Sequence, residues 1–186
     1  MTEIPSYAQQ EIIHIYRALG GVLDFPTLAP GDWDFAFGDG LLIELDEDLH
    51  FNRYRALTLD VSWVQRLPWA GDYRRHCLAG EEMCWKAGRL GGKWTSPSTV
   101  KMLGPGDPPG TFTSRGSPRW KQRALYDAVK DAFAVHSDRH RLARISIHDV
   151  ISGVRVNDFL LGKQSLPERA LLEFLDVRST VIKARS

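Results

Sequence analysis

Carboxylate side chains concentrate in one short stretch of this sequence, residues 33–50, which reads WDFAFGDGLLIELDEDLH. Asp34 lies in a run of alternating apolar and polar residues, and Glu44 and Asp46 share one parity of a second run. Each run has the period-two pattern of a strand with two unlike faces. If the strands pair, facing carboxylates lie about 5 Å apart at Cβ and repel each other. Solvent, a shared proton or a cation must offset that repulsion.

The length of the turn between the two runs decides which residues face each other. Residues 38–40 read Gly-Asp-Gly, and a three-residue loop of this kind pairs Phe37 with Leu41 and sets Asp34 opposite Glu44. A two-residue turn would shift every pair by one residue and set Asp34 against an apolar side chain. We choose the longer loop because only that register separates the carboxylates from the apolar residues. The predicted apolar face consists of Phe35, Phe37, Ile43 and Leu45.

The surrounding segments predict the elements that hold this hairpin. Helical periodicity covers 6–19, 51–67 and 119–134. Residues 141–148 alternate, which predicts another strand, with Arg144 on one of its faces. Residues 69–116 end in a stretch rich in Gly, Pro, Ser and Thr, which predicts a long loop-rich insertion. We expect one α/β (α+β) domain over residues 1–186: a small mixed central sheet flanked by helices, with that insertion and a C-terminal helical extension over 150–186.

Composition limits the classes of function. The net charge of +1 gives no overall basic signature for nucleic acid, so only local clusters of Lys and Arg could supply one. The two cysteines do not make the framework of a secreted disulfide protein. No apolar run is long enough to span a membrane. We therefore expect a cytoplasmic protein that does not enter a membrane.

The order of the acidic residues resembles that of a known superfamily, the PD-(D/E)xK (restriction-endonuclease-like) nucleases. The similarity is nearest to the very-short-patch-repair-like endonuclease domains, which show an Asp on one strand, Glu-x-Asp on the next and a His shortly after. The corresponding residues here are Asp34, Glu44, Asp46 and His50. Gln122 and Tyr126 also resemble the Gln-x-x-x-Tyr signature of exonuclease-like members. The resemblance covers roughly residues 6–67 and 118–148.

This resemblance implies a restriction-endonuclease-like core and an endonuclease that hydrolyses phosphodiester bonds of nucleic acid, with DNA as the expected substrate. The implied cofactor is Mg²⁺ or Mn²⁺, held by Asp34, Glu44 and Asp46. His50 would complete the catalytic set as a general base, a ligand or a phosphate donor. The implied nucleic-acid-binding residues are Arg53, Lys121 and Arg144. Glu11 and Gln122 would be accessory to the site.

Two positions depart from the superfamily pattern. Asp46 stands where a lysine is expected, two residues after the glutamate, and Trp33 stands where a proline is expected before Asp34. Another cation must then orient the attacking water, and the candidates are His50, Lys121 and Arg53. Two alternatives stay open. One is a catalytically inactive nuclease-fold module that binds nucleic acid or a protein partner, and the other is a structural protein whose acidic hairpin faces solvent.

Overall fold

Helices surround a small β-sheet in the computed structural model, which describes residues 4–182. In that range the helices are α1 (Ser6–Ala18), α2 (Arg53–Thr58), α3 (Ala70–Gly88), α4 (Pro97–Leu103), α5 (Pro118–His136), α6 (Val156–Leu160) and α7 (Glu168–Arg178). The strands are β1 (Phe35–Ala36), β2 (Leu41–Asp46), β3 (Arg141–Ser146), β4 (Val150–Ile151) and β5 (Val154–Arg155). The predicted α+β class is confirmed. None of the described helices is long and apolar enough to cross a membrane.

The central sheet has the order β1-β2-β3 and is mixed. β1 is antiparallel to β2, with Phe35 opposite Ile43, and β2 is parallel to β3. The same antiparallel register sets Asp34 opposite Glu44, so the three-residue loop predicted from the sequence is confirmed. Gly40 closes that loop with a φ of 85°, a left-handed conformation that favours glycine.

The apolar and acidic residues of the hairpin lie on opposite faces as predicted, but the acidic face is the more deeply buried of the two. Phe35 and Phe37 are each 53% exposed, whereas Glu44 is 4% exposed and Asp46 1% exposed. The reason is that α5 covers the face that carries the carboxylates. On the other face, a small second core around Ile43 packs against residues of α7, and it does not include the two phenylalanines of the edge strand.

Helix α5 is the central helix of the molecule. Its first turn is set by Pro118 and by the Ser117 hydroxyl, which accepts a hydrogen bond from the backbone N–H of Trp120. One face of the helix is buried in the main core; it includes Leu125, Ala128, Val129 and Ala132. α5 contacts α1, α2, α4 and β3, so the residues on its remaining face are held in place from several sides.

The segment 69–116 is not a loop-rich insertion. It begins with the 19-residue helix α3 and also contains α4. α3 buries a stripe of mostly small side chains, namely Ala70, Tyr73, Cys77, Gly80, Cys84 and Gly88. Because Ala, Gly and Cys contribute little to a hydrophobic periodicity, the helix does not stand out in the sequence. The segment therefore belongs to the packed body of the protein.

Two more segments differ from the predicted elements. The helix predicted over 51–67 is limited to α2 and a 3₁₀ turn at Val64–Arg66, because the last backbone N–H groups bond three residues back and end the helix. The predicted helical extension over 150–186 contains the β4–β5 hairpin before α6 and α7. Residues 183–186 lie outside the described range.

Candidate active site

A cleft of about 440 Å³ lies between the β1–β2 hairpin and α5. The wall on the hairpin side carries Asp32, Asp34, Glu44, Leu45, Glu47 and His50. The wall on the α5 side carries Arg119, Gln122, Arg123, Tyr126, Asp127 and Lys130. These positions recur every three or four residues, so they form one stripe along the helix. A wall rich in carboxylates thus faces a wall that supplies three cations.

Glu44 and Lys130 join the two walls. The Lys130 ammonium donates to both carboxylate oxygens of Glu44 at 2.7 Å, and it lies 5.1 Å from the centre of the Trp33 ring. Burial raises the pKa of Glu44 above its ordinary value, although Arg144 and Lys130 act against that shift. A cation therefore lies directly beside the glutamate.

Asp34 adds a second carboxylate next to Glu44. Its Oδ2 accepts a hydrogen bond from the backbone N–H of Leu45 at 2.8 Å, and its own backbone N–H donates to Glu44 Oε1 at 3.3 Å. Asp34 is exposed to the cleft, whereas Glu44 is buried at its floor. The hairpin register thus brings together the two acids that the sequence predicted as partners.

Asp46 belongs to a different cluster, inside the protein. Both of its oxygens accept from Arg144 Nη1, at 2.9 and 2.8 Å, and Tyr73 donates to it at 2.7 Å. Arg144 is fully buried and also donates to Asp131 at 2.7 Å and to Asp127 at 3.2 Å. Burial alone would raise the pKa of Asp46, but Arg144 and His50 outweigh it and hold that pKa below its ordinary value. Arg144 is therefore enclosed by carboxylates rather than directed at the cleft.

His50 lies between the inner cluster and the cleft. Its Nδ1 is 2.8 Å from Asp127 Oδ2 and 3.0 Å from Asp46 Oδ1. Burial alone would lower the pKa of His50, but the two carboxylates outweigh it and raise that pKa. Because Nδ1 is held by the carboxylates, Nε2 is the nitrogen left to act in the cleft.

Two groups of residues have the chemistry to hold a metal ion. Asp46, His50 and Asp127 bring one ligand atom each within 4.8 Å of one another. Arg144 already neutralises that group, so a dication there would lie against a buried guanidinium in a medium of low dielectric constant. Asp34 instead offers carboxylate oxygens that are exposed to the cleft, and Glu44 lies beside it at the floor, bonded to Lys130. An open position of this kind suits Mg²⁺, which keeps several of its waters.

Besides Asp46 and Arg144, three more residues suggested by the sequence do not line the cleft. Arg53 pairs with Glu81 at 2.7 and 2.8 Å. Lys121 lies 5.5 Å from the centre of the Tyr54 ring, and burial lowers its pKa. Glu11 accepts from the backbone N–H of Ser62 at 3.2 Å. The three side chains therefore have their contacts elsewhere in the protein.

Gln122 does line the cleft. The Gln-x-x-x-Tyr pattern that begins at Gln122 also leads to Lys130. Gln122 Nε2 donates to the Tyr126 hydroxyl at 3.5 Å. Lys130 follows Tyr126 by four residues, which is about one further turn along the same face of α5. Extending the Gln-x-x-x-Tyr pattern by that turn would have selected Lys130 from the sequence.

The fold and the cleft together define a mixed α/β protein in which an acidic hairpin faces a basic helix. A family model matches residues 14–162, a range that includes both walls of the cleft. The chain belongs to that family, which is described as a family of unknown function (DUF7255). A search among curated proteins and a search among solved structures each gave no match.

Proposed function

We propose that this protein is a divalent-metal-dependent nuclease that hydrolyses phosphodiester bonds in nucleic acid. The observation that carries the proposal is the Glu44–Lys130 contact beside Asp34, at the floor of a cleft with one acidic and one basic wall. A cation would bind the acidic wall, and the phosphate would lie between that cation and the basic wall. The resemblance of the hairpin to the PD-(D/E)xK superfamily favours DNA as the substrate.

Each residue of the site has a definite role in this proposal. Asp34 and Glu44 would hold Mg²⁺ or Mn²⁺ through their carboxylate oxygens. Such an ion polarises the phosphate and lowers the pKa of a water molecule. Lys130, fixed by Glu44 at 2.7 Å, would orient the water or a phosphate oxygen next to that carboxylate. Asp46 would position His50 rather than bind the metal.

His50 would act on the phosphate through Nε2. Asp127 and Asp46 hold Nδ1 at 2.8 and 3.0 Å, so the ring has a fixed orientation and its proton on Nδ1 stays in place. With its raised pKa, the imidazole is suited to donate a hydrogen bond to a phosphate oxygen or to the leaving group. Arg144 would stabilise this arrangement from behind without touching the substrate.

The test uses purified protein, supercoiled plasmid and the small diester bis(p-nitrophenyl) phosphate, each with Mg²⁺, Mn²⁺ or EDTA. We expect metal-dependent hydrolysis that falls by about 10²-fold or more in Glu44→Gln and in Lys130→Met. Lys101→Met is the matched control, because Lys101 is an exposed lysine on α4, away from the cleft. Thermal unfolding of each variant separates loss of chemistry from loss of folding.

Two results would contradict the proposal in different ways. Hydrolysis that persists in both cleft variants would show that another site does the chemistry. A wild-type protein that binds Mn²⁺ and nucleic acid but cleaves neither substrate would favour the inactive nuclease-fold module instead.

A further inference from the structure

Two arginines in the cleft are not used by the proposed chemistry. Arg119 and Arg123 are half-buried on the helix wall, at the end of α5 away from Lys130. Arg119 donates to the side-chain oxygen of Gln122 at 3.1 Å. Within residues 4–182 neither arginine forms an ion pair.

This sets them apart from the deeply buried arginines of the protein. Arg55 pairs with Asp131 at 2.7 Å, Arg144 binds three carboxylates, and Arg178 pairs with Asp72 and with Asp149. A partly desolvated guanidinium is favourable only when an anion or other acceptors satisfy its donors. Arg119 and Arg123 therefore present donors that an anion from outside the chain would satisfy better than water does.

The neighbours of Arg123 also favour the binding of an anion. His50, whose pKa is raised, lies close enough to Arg123 for the two to interact electrostatically. The charge of His50 is compensated by Asp127 and Asp46, but both of those carboxylates are held by Arg144 as well. Within the described residues, neither Arg123 nor Arg119 pairs with a carboxylate at this end of the cleft, and a bound anion would relieve the repulsion between Arg123 and His50.

The spacing of the three cations along α5 indicates which kind of anion would bind. Arg119 and Arg123 are one turn apart, about 6 Å along the helix axis, and Lys130 lies about 10 Å beyond Arg123. One strand of nucleic acid carries a phosphate at each nucleotide, so it presents a row of negative charges to a row of cations. Planar guanidinium groups bind such phosphates in a bidentate manner.

We propose that Arg119 and Arg123 form a subsite for two backbone phosphates on one side of the cleaved bond, so that the substrate is a polynucleotide strand lying along α5. This inference rests on the proposed nuclease function, because Lys130 and Glu44 define where the cleaved phosphate lies. It excludes nucleotide monoesters and other small phosphate esters as preferred substrates, since they carry no flanking phosphates.

The first test measures binding without hydrolysis. A fluorescent single-stranded oligonucleotide of about 20 nucleotides is titrated with protein in Ca²⁺, at NaCl concentrations from about 50 to 200 mM. We expect the slope of log K against log[salt] to become shallower by about 0.7 in Arg123→Gln and by about 1.4 in the Arg119→Gln/Arg123→Gln double variant. Arg169→Gln, on the exposed surface of α7, is the matched control and should leave the slope unchanged.

The second test compares two substrates in Mg²⁺. The ratio of kcat/KM for the oligonucleotide to kcat/KM for bis(p-nitrophenyl) phosphate should fall about tenfold for each arginine replaced, because the small diester has no flanking phosphates. A general loss of structure would lower both values together and leave the ratio unchanged.

The outcomes separate this inference from the proposed function. An unchanged salt slope in the double variant, or no binding of the oligonucleotide by the wild type, would overturn the subsite even if the small diester were hydrolysed through Glu44. A shallower slope without hydrolysis of either substrate would keep the subsite as a binding site and contradict only the nuclease proposal.

Discussion

Two arginines of β3 lie in opposite surroundings. Arg144 is fully buried and bound to Asp46, Asp127 and Asp131, whereas Arg141 pairs with Asp176, whose side chain is 80% exposed. Removing one partner from a buried ion network leaves uncompensated charges and costs about 3–5 kcal/mol. Exposed pairs contribute about 0–1 kcal/mol.

These surroundings predict very different effects for the same replacement. Arg144→Met should lower the free energy of unfolding by about 3–5 kcal/mol, and Arg141→Met by less than about 1 kcal/mol, measured by urea unfolding at pH 7. If Arg144→Met does not fold, Arg144→Lys keeps the charge with fewer donors and should show an intermediate loss. An Arg144→Met protein as stable as Arg141→Met would mean that the buried cluster contributes nothing to the fold.

The individual residues of the site were only partly predictable from the sequence. The turn length and the alternating pattern sufficed to make Asp34 and Glu44 neighbours, because both are local properties of the chain. Lys130 lies 86 residues from Glu44 along the chain, so no local pattern links the two. The burial of Arg144 could not be predicted from a local pattern either, because it depends on acids from β2 and α5.

Among the elements, α3 packs against residues that are next to the cleft. Gly88, near its end, is buried against Leu49 and Trp120: a Cβ there would lie 2.5 Å from Leu49 Cδ2 and 2.8 Å from Trp120 Nε1. Leu49 directly precedes His50, and Trp120 is in the first turn of α5. The helix therefore packs against the 3₁₀ turn that carries His50 (Asp48–His50) and against the first turn of α5.

We predict that Gly88→Ala lowers the free energy of unfolding by about 1–3 kcal/mol, because the added methyl group overpacks a rigid contact. Gly71→Ala on the same helix is the matched control. Its Cβ would be 3.9 Å from its nearest neighbour, Arg75, and it should be neutral or stabilising by up to about 1 kcal/mol. Chemical denaturation of both variants measures the difference. Equal stabilities would contradict the close packing at Gly88.

Sequence patterns predicted these elements unequally. α1, α5 and β3 follow strong apolar periodicities, and each was predicted within a few residues of its observed bounds. α3 was not predicted, because its buried stripe consists largely of Ala, Gly and Cys, and because Gly and Pro in the following loop dominate the composition of the segment. Small residues allow close packing of this helix but give little hydrophobic signal.

For the whole molecule, the parallel pairing of β2 with β3 is what assembles the cleft. α5 lies between these strands in the sequence and packs against the sheet, so its charged stripe faces the carboxylates of the hairpin. The unfolded chain has no such arrangement, because the residues of the two walls are 69 to 98 positions apart in sequence (from 119 − 50 to 130 − 32). A ligand that needs Asp34 and Glu44 in the folded hairpin, with Lys130 of the other wall beside them, will bind the folded state in preference to the unfolded chain and will stabilise it.

The last prediction follows from this linkage. Mn²⁺ or Mg²⁺ at about 100 times its dissociation constant should stabilise the wild type by about 2.7 kcal/mol, a rise in Tm of about 5–10 °C for a chain of this size. Asp34→Asn should abolish that rise, because an amide is a poor ligand for a hard cation, although it can still accept the hydrogen bond from Leu45 N–H. Asp39→Asn is the control: Asp39 also accepts a backbone N–H in the hairpin, from Leu41 at 3.1 Å, but it is at the turn. In EDTA all three proteins should unfold at similar temperatures, and an equal metal-dependent rise in Asp34→Asn would place the cation elsewhere, with the Asp46–His50–Asp127 group as the next site to examine.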